Sequence, residues 1–324
     1  MAFDYNTTIH TMEIRAKTEQ NYPDFMARCN ALDYTSEIRR CGNGLYSLRV
    51  NPHKINGVDT KGLYRLCYLS LNEHKSLLDR IQTDLGADSL TVTRLDLCCD
   101  PQIDYAPTEK LLRFLVLMLA NQIEAYNRYM SIDPLTLEIK TIRVEAKKGH
   151  NGKNYNGELQ IEHYNRALLD QSSWDYTVLN RLELRASGTE AGENYSIEEI
   201  VERWISRLQA VTEPVEMSQR METVERALNH ALIEQWQQLS YQMETPTGKA
   251  FNDFVFFNLN HIFTRRQMIN LFILYGDTEQ QAENRAKNIR RDRRRAFKGQ
   301  LFTKKQLSEE VESLIQSIDY FIRK

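Results

Sequence analysis

Four acids occupy equivalent places in four alternating runs: Asp96 in TRLDLCCD (93–100), Glu145 in TIRVEAK (141–147), Glu162 in QIEHYN (160–165) and Glu183 in NRLELRA (180–186). Basic side chains share their parity. Arg94 accompanies Asp96, Arg143 and Lys147 flank Glu145, and Arg181 and Arg185 flank Glu183. Successive strand side chains point to opposite faces. Each run therefore separates an apolar set (Leu95 and Leu97; Ile142 and Val144; Leu159, Ile161 and His163; Leu182 and Leu184) from a charged one. Acids gathered on one face repel unless cations lie between them, and a hard divalent ion such as Mg²⁺ or Mn²⁺ takes oxygen ligands of this kind. Asp is a poor strand former, so Asp96 demands a role more than the glutamates do. Solvated cross-strand ion pairs on an exposed sheet face are the plainer account of the same pattern.

In their order along the chain, TRLDLCCD, IEHYNR (161–166) and NRLELR (180–185) resemble the replication initiation factor (Rep-trans) family, rolling-circle initiators of Gram-positive plasmids and related conjugative elements. The family's T-R-hydrophobic-D-hydrophobic-x-x-D strand matches Thr93, Arg94, Asp96 and Asp100. Its R-x-Y-D/E-K strand is similar around Glu162, Tyr164, Asn165 and Arg166, and its R-hydrophobic-E strand at Arg181 and Glu183. About residues 60 to 190 are covered.

The resemblance implies an origin-binding endonuclease that nicks one strand through a tyrosine, leaving a 5′-phosphotyrosyl link and a free 3′-hydroxyl. A phenol is a weak nucleophile at neutral pH and needs a metal, a base or nearby cations. A divalent ion held by Asp96 and Glu183, with Glu145 as a further ligand, would polarise the phosphoryl oxygen, and Arg181 or Arg143 would neutralise developing charge. Where the family carries its Y-x-G-S-R-like run this chain has TIRVEAKKG, with Arg143 in the tyrosine's place. Tyr155, in the loop GHNGKNYNG, and Tyr164, beside Glu162, are the replacements. A DNA-binding regulator that keeps the fold without the nucleophile is the rival reading, and a protein-interaction scaffold a third.

The elements that must hold these residues read as α+β. Period-two patterning marks MEIRAK (12–17), LYSLRV (45–50), LYRLCYLSL (63–71), TVTRLDLCCD (91–100), LEIKTIRVEAK (137–147), ELQIEHYNR (158–166) and TVLNRLELRAS (177–187) as strands. Helical periodicity runs over 72–86 and 108–130. Asn151-Gly152 and Asn156-Gly157 place an enlarged hairpin loop between two strands. An antiparallel-rich sheet with helices on one face is predicted over residues 1–212, followed by a helical domain over 213–324 with a connecting helix (213–244) and a linker (245–250). FTRRQM (263–268) and FTKKQL (302–307) repeat one signal, a Thr N-cap with Gln three residues on and flanking apolar residues. With 277–297 between them they predict three short helices of helix-turn-helix or winged type.

Net charge is -2, but residues 261–305 hold twelve Lys/Arg against four Asp/Glu. Six arginines fall within eleven residues: Arg285, Arg290, Arg291, Arg293, Arg294 and Arg295. With Arg265, Arg266 and Lys298 they form the predicted contact set for duplex origin DNA, mostly to phosphates. Single-stranded DNA, a host helicase and a second copy of the chain complete the expected partners. The seven histidines include no pair spaced by two, and zinc-finger spacing and a G-x-x-x-x-G-K loop are absent. Five cysteines, odd in number and without C-x-x-C, indicate reduced thiols and a cytoplasmic protein. No apolar run is long enough to span a bilayer.

Overall fold

Alternation of apolar and polar residues organises a single large sheet. A computed structural model describes residues 5–57, 64–101, 106–120, 126–132, 139–146, 159–165, 174–175, 180–187, 196–212, 233, 236–237, 265–296 and 304–323. Among them, eight strands form one antiparallel sheet: β1 (Tyr5–Lys17), β2 (Thr35–Gly42), β3 (Leu45–Val50), β5 (Ser89–Pro101), β6 (Tyr126–Ile132), β7 (Ile139–Ala146), β8 (Leu159–Asn165) and β10 (Asn180–Ser187). Their spatial order is β2-β3-β1-β5-β10-β8-β7-β6. A two-residue parallel pair, β4 (Tyr64–Arg65) with β9 (Trp174–Asp175), stands apart. Seven helices are described: α1 (Tyr22–Asn30), α2 (Leu71–Leu85), α3 (Ala106–Ala120), α4 (Ile197–Thr212), α5 (Arg265–Tyr275), α6 (Glu279–Ala296) and α7 (Lys304–Arg323).

The apolar parity of each strand is buried: Ile9, Met12 and Ile14 on β1, Leu95 and Leu97 on β5, Leu182 and Leu184 on β10, Ile142 and Val144 on β7. These residues share one core with Leu77 and Ile81 of α2, Leu115 and Leu119 of α3, Ile200 and Trp204 of α4, and Leu314 and Ile318 of α7. His163 follows its parity into the core, where burial and the nearby Arg113 charge hold it neutral. Cys98 and Cys99 point to opposite faces; only Cys99 joins the core, and all five thiols are free.

Local chemistry sets the helix ends. Ser70 and Glu73 form a reciprocal capping box at α2, and Ser196 with Glu199 and Thr278 with Gln281 do the same at α4 and α6. α2 closes on Gly86, whose φ of 59° is a left-handed conformation that suits glycine. The predicted caps Thr264 and Thr303 lie outside the described residues, as does the Asn/Gly-rich loop between β7 and β8.

Several elements depart from the sequence reading. Among its described residues, LYRLCYLSL is strand only at Tyr64–Arg65, and its last residue already belongs to α2. Of the helix expected over 108–130, the described part is helical to Ala120, while Tyr126–Met130 belongs to β6 at the sheet edge. The first half of β1, all of α1 and the polar edge strand β2 carry no strong pattern and were not foreseen.

α7, read from sequence as part of a C-terminal helical domain, lies against β1, α2 and α4. Its Ser317 hydroxyl donates to the Tyr5 carbonyl (2.8 Å) and meets Thr7 Oγ1 (2.6 Å). α5 and α6 pair with each other, Met268 and Phe272 meeting the same buried layer as Ala282, Ala286 and Ile289.

Candidate functional site

Register turns parity into position. On β10, Glu183 stands opposite Glu162 of β8, and Glu162 stands opposite Arg143 of β7, which faces Tyr129 of β6. One row along, Thr11 of β1, Asp96 of β5, Arg185 of β10, Gln160 of β8 and Glu145 of β7 form a second line across the sheet. The next row brings Arg181 opposite Tyr164 and Tyr164 opposite Thr141. A bulge between Ile9 and Thr11 inserts His10 into β1, and the histidine turns to the charged side.

Ion pairs thread this face in strict alternation of sign. Arg49 joins Glu37 to Glu13; Arg94 joins Glu13 (3.0 Å) to Asp96; Arg185 joins Asp96 (2.8 Å) to Glu183 (2.9 Å). Asp96, 1% exposed, receives Arg94 on both oxygens and Arg185 Nε on one. Arg185 also donates to Gln160 (2.7 Å). Guanidinium groups thus neutralise the acids expected to hold a metal. As arranged, Asp96, Glu183 and Glu145 do not fit one divalent ion. Arg185 fills the place between the first two. Glu145 lies on β7, two strands and roughly 10 Å from β10, where it accepts from the Tyr129 hydroxyl (3.4 Å). Among the described residues, no three His, Cys, Asp or Glu side chains are grouped as a metal site.

Glu183 is the node of the face. Its Oε2 accepts from the Tyr164 hydroxyl (3.1 Å) and meets His10 Nδ1 (3.4 Å), while Oε1 takes Arg185. Burial opposes its charge, yet His10, Arg185 and Arg181 hold its carboxyl well below the usual range. Opposite it, Glu162 is pushed up to about 7 by burial and by the Glu183 charge, against the pull of Arg143 and Arg185. Two facing carboxylates thereby divide their roles: one holds its charge, the other carries a proton near neutrality.

Beneath Tyr164, Arg181 and Asp100 form a fully buried two-pronged pair (2.6 and 2.5 Å), and the Tyr68 hydroxyl donates to Asp100 (3.0 Å). Burial and the Asp100 charge raise the Tyr68 phenol, so it stays protonated. Arg181 is therefore committed to an internal pair rather than open toward a ligand. His53 closes this side, its Nδ1 accepting from the Cys67 amide (2.9 Å), its ring 5.2 Å from His10 and 6.3 Å from Tyr68.

Arg143 remains partly open, its side chain 36% exposed, over the Tyr129 ring. Tyr155 and Lys298 lie outside the described residues, and so do the side chains of Arg290, Arg291, Arg293, Arg294 and Arg295, although α6 runs through them to Ala296. Arg265 and Arg266 are exposed in the first turn of α5. Arg285, expected at the DNA, is an ion-pair partner of Asp277 (3.0 Å) and lies 5.7 Å from the Phe272 ring centre.

Sequence reasoning missed His10, His53, Tyr68, Glu13 and Tyr129. His10 sits in a bulge that breaks the alternation, His53 in a short 3-10 turn (Pro52–Lys54), and Tyr68 in a run whose alternation reads as a strand but which leaves the strand after Arg65. Tyr129 was hidden inside a run read as helix.

The fold and site define a class, an antiparallel α+β protein whose charged sheet face surrounds a tyrosine–glutamate–histidine contact. Compared with known proteins, the chain matches no family model and no curated protein. No helix among the described residues is long and apolar enough to cross a membrane.

Proposed function

We propose that the protein is a DNA replication initiator that binds an origin and nicks one strand through Tyr164, starting rolling-circle replication. The observation that carries this reading is the Tyr164–Glu183 hydrogen bond (3.1 Å), set beside Glu162 and one row from the partly open Arg143. The phenol oxygen attacks phosphorus as its proton passes to the Glu183 carboxylate that already accepts its hydrogen bond, and the facing Glu162, ionised as pH rises through about 7, is the stronger base of the two. The 3′-oxygen leaves, takes up a proton from water, and the 5′-phosphate stays on the tyrosine. Arg143 supplies positive charge for the phosphoryl oxygens as negative charge builds. α5 and α6, with exposed Arg265 and Arg266 and the arginine-rich end of α6, are proposed as the helix-turn-helix or winged element that takes duplex origin DNA. A host helicase and a second copy of the chain are the partners such a role calls for, and five free thiols suit the cytoplasm.

The test is a labelled single-stranded origin oligonucleotide incubated with protein in Mg²⁺, in Mn²⁺ and in chelator. A denaturation-resistant adduct that disappears in Tyr164→Phe and survives in Tyr155→Phe supports the reading; the reverse pattern moves the nucleophile to Tyr155. An adduct formed in chelator makes arginine, not metal, the source of charge. A second reading, a DNA-binding regulator without nicking activity, is favoured by Arg185 bridging Asp96 and Glu183. It gains the case if no adduct forms in any condition while duplex binding persists.

A further inference from the structure

We infer that the β6–β7 rim is a stacking platform for single-stranded DNA, with the Tyr129 ring taking a base and Arg143 the adjoining phosphate. The inference rests on the DNA reading above and names the form of DNA that approaches the site. Tyr129 is 43% exposed, whereas Tyr5, Tyr34 and Tyr46 are at most 6% exposed. Its exposure is not idle surface. Arg143 holds its guanidinium 4.5 Å from the ring centre and 3.9 Å from Glu145, which also accepts from the Tyr129 hydroxyl (3.4 Å).

Position links the ring to the chemistry. Tyr129, Arg143, Glu162 and Glu183 are successive cross-strand partners, so a single row leads from the outer strand to the acceptor of the Tyr164 proton. Tyr164 lies two strands inward and two residues along from Tyr129, roughly 12 Å by strand spacing and rise. Asn127 and Ser131 share the Tyr129 parity on β6 and offer short polar side chains beside it. β6 ends the sheet, and no described strand pairs with its outer edge. A base offers a π-face whatever its identity and an unpaired strand presents phosphates beside it, which is the combination an aromatic ring backed by an arginine recognises. Stacked bases inside a duplex keep their faces covered.

Fluorescence anisotropy of the full chain measures the outcome with a 20-nucleotide dT oligonucleotide and with a duplex of mixed sequence. Tyr129→Ala is expected to bind the dT strand about tenfold or more weakly and the duplex as wild type does. Tyr129→Phe keeps the stacking face and should stay near wild type. Equal dT affinity for Tyr129→Ala and wild type overturns the inference, as does a wild type that binds no dT strand at all. A change in oligomeric state on sedimentation, in place of a change in affinity, would assign the rim to self-association and overturn it too. If Tyr129→Ala weakens dT binding but wild type forms no phosphotyrosyl adduct, the platform stands and the nicking reading falls.

Discussion

Glu162 and Glu183 are cross-strand partners on β8 and β10, and the sheet drives their acidities in opposite directions. The sign of the consequence is fixed by linkage. Glu162 moves from an ordinary 4.5 in the unfolded chain to about 7 in the fold. Its contribution to stability is therefore fullest below about 4.5 and is lost as pH rises toward 7, by up to about 3 kcal/mol. Glu183 acts the other way, and only on the acid side of the usual carboxylate range. Glu162→Gln should flatten the fall in stability between pH 5 and pH 8, as read from urea midpoints at the two ends.

Burial makes the Asp100–Arg181 fork costly to break. Asp100→Ala leaves a guanidinium in the interior without its acid and removes the acceptor of Tyr68, so about 3–5 kcal/mol of stability should disappear. The double variant Asp100→Leu with Arg181→Met removes both charges together and should recover most of that loss. Chemical denaturation of the three proteins distinguishes an internal strut from a dispensable pair.

Arg185 does for Asp96 and Glu183 what a cation would do. In Arg185→Ala the two carboxylates lose their shared partner, and Mn²⁺ gains oxygens to bind. Millimolar Mn²⁺ should raise the Tm of Arg185→Ala by several degrees and leave that of the wild type unchanged. Equal response of the two proteins would remove the guanidinium from this role.

Deleting residues 304–323 tests whether the helical end is separable. Val311, Leu314, Ile318 and Phe321 are buried in the common core, and at about 1.5–3 kcal/mol per side chain their loss rivals the whole stability of an ordinary domain. The truncated chain should be unfolded or aggregated by circular dichroism and gel filtration. A well-folded product would show that α7 is an ornament of the sheet.

The charged face was legible in the sequence because period-two alternation survives wherever a strand is half buried: Leu95 and Leu97 against Arg94 and Asp96, Leu182 and Leu184 against Arg181, Glu183 and Arg185. What alternation leaves open is who pairs with whom. That Arg185 lies between Asp96 and Glu183 follows from a β5–β10–β8 order that long connections decide. β6 escaped because Tyr126 follows an apolar helix with no proline or glycine between them, and LYRLCYLSL misled because an apolar run alternates without needing a strand partner. β2, with Ser36, Glu37, Arg39 and Arg40 along an edge, shows a polar strand whose pattern looks like a loop. His10 belongs to a break in period, and only pairing reveals such a break.

The bond from Ser317 to the Tyr5 carbonyl spans 312 residues of sequence. β3 reaches only Met12 to Lys17 of β1, so beyond its pairing with β5 the earlier half of that strand is met by α2, through His74 and the Ile9 amide, and by α7. A nascent chain thus carries β1 half-sealed until residues 304–323 have emerged from the ribosome. Contacts so distant in sequence slow the search for the native state, and the waiting edge is the segment a chaperone would have most reason to shield.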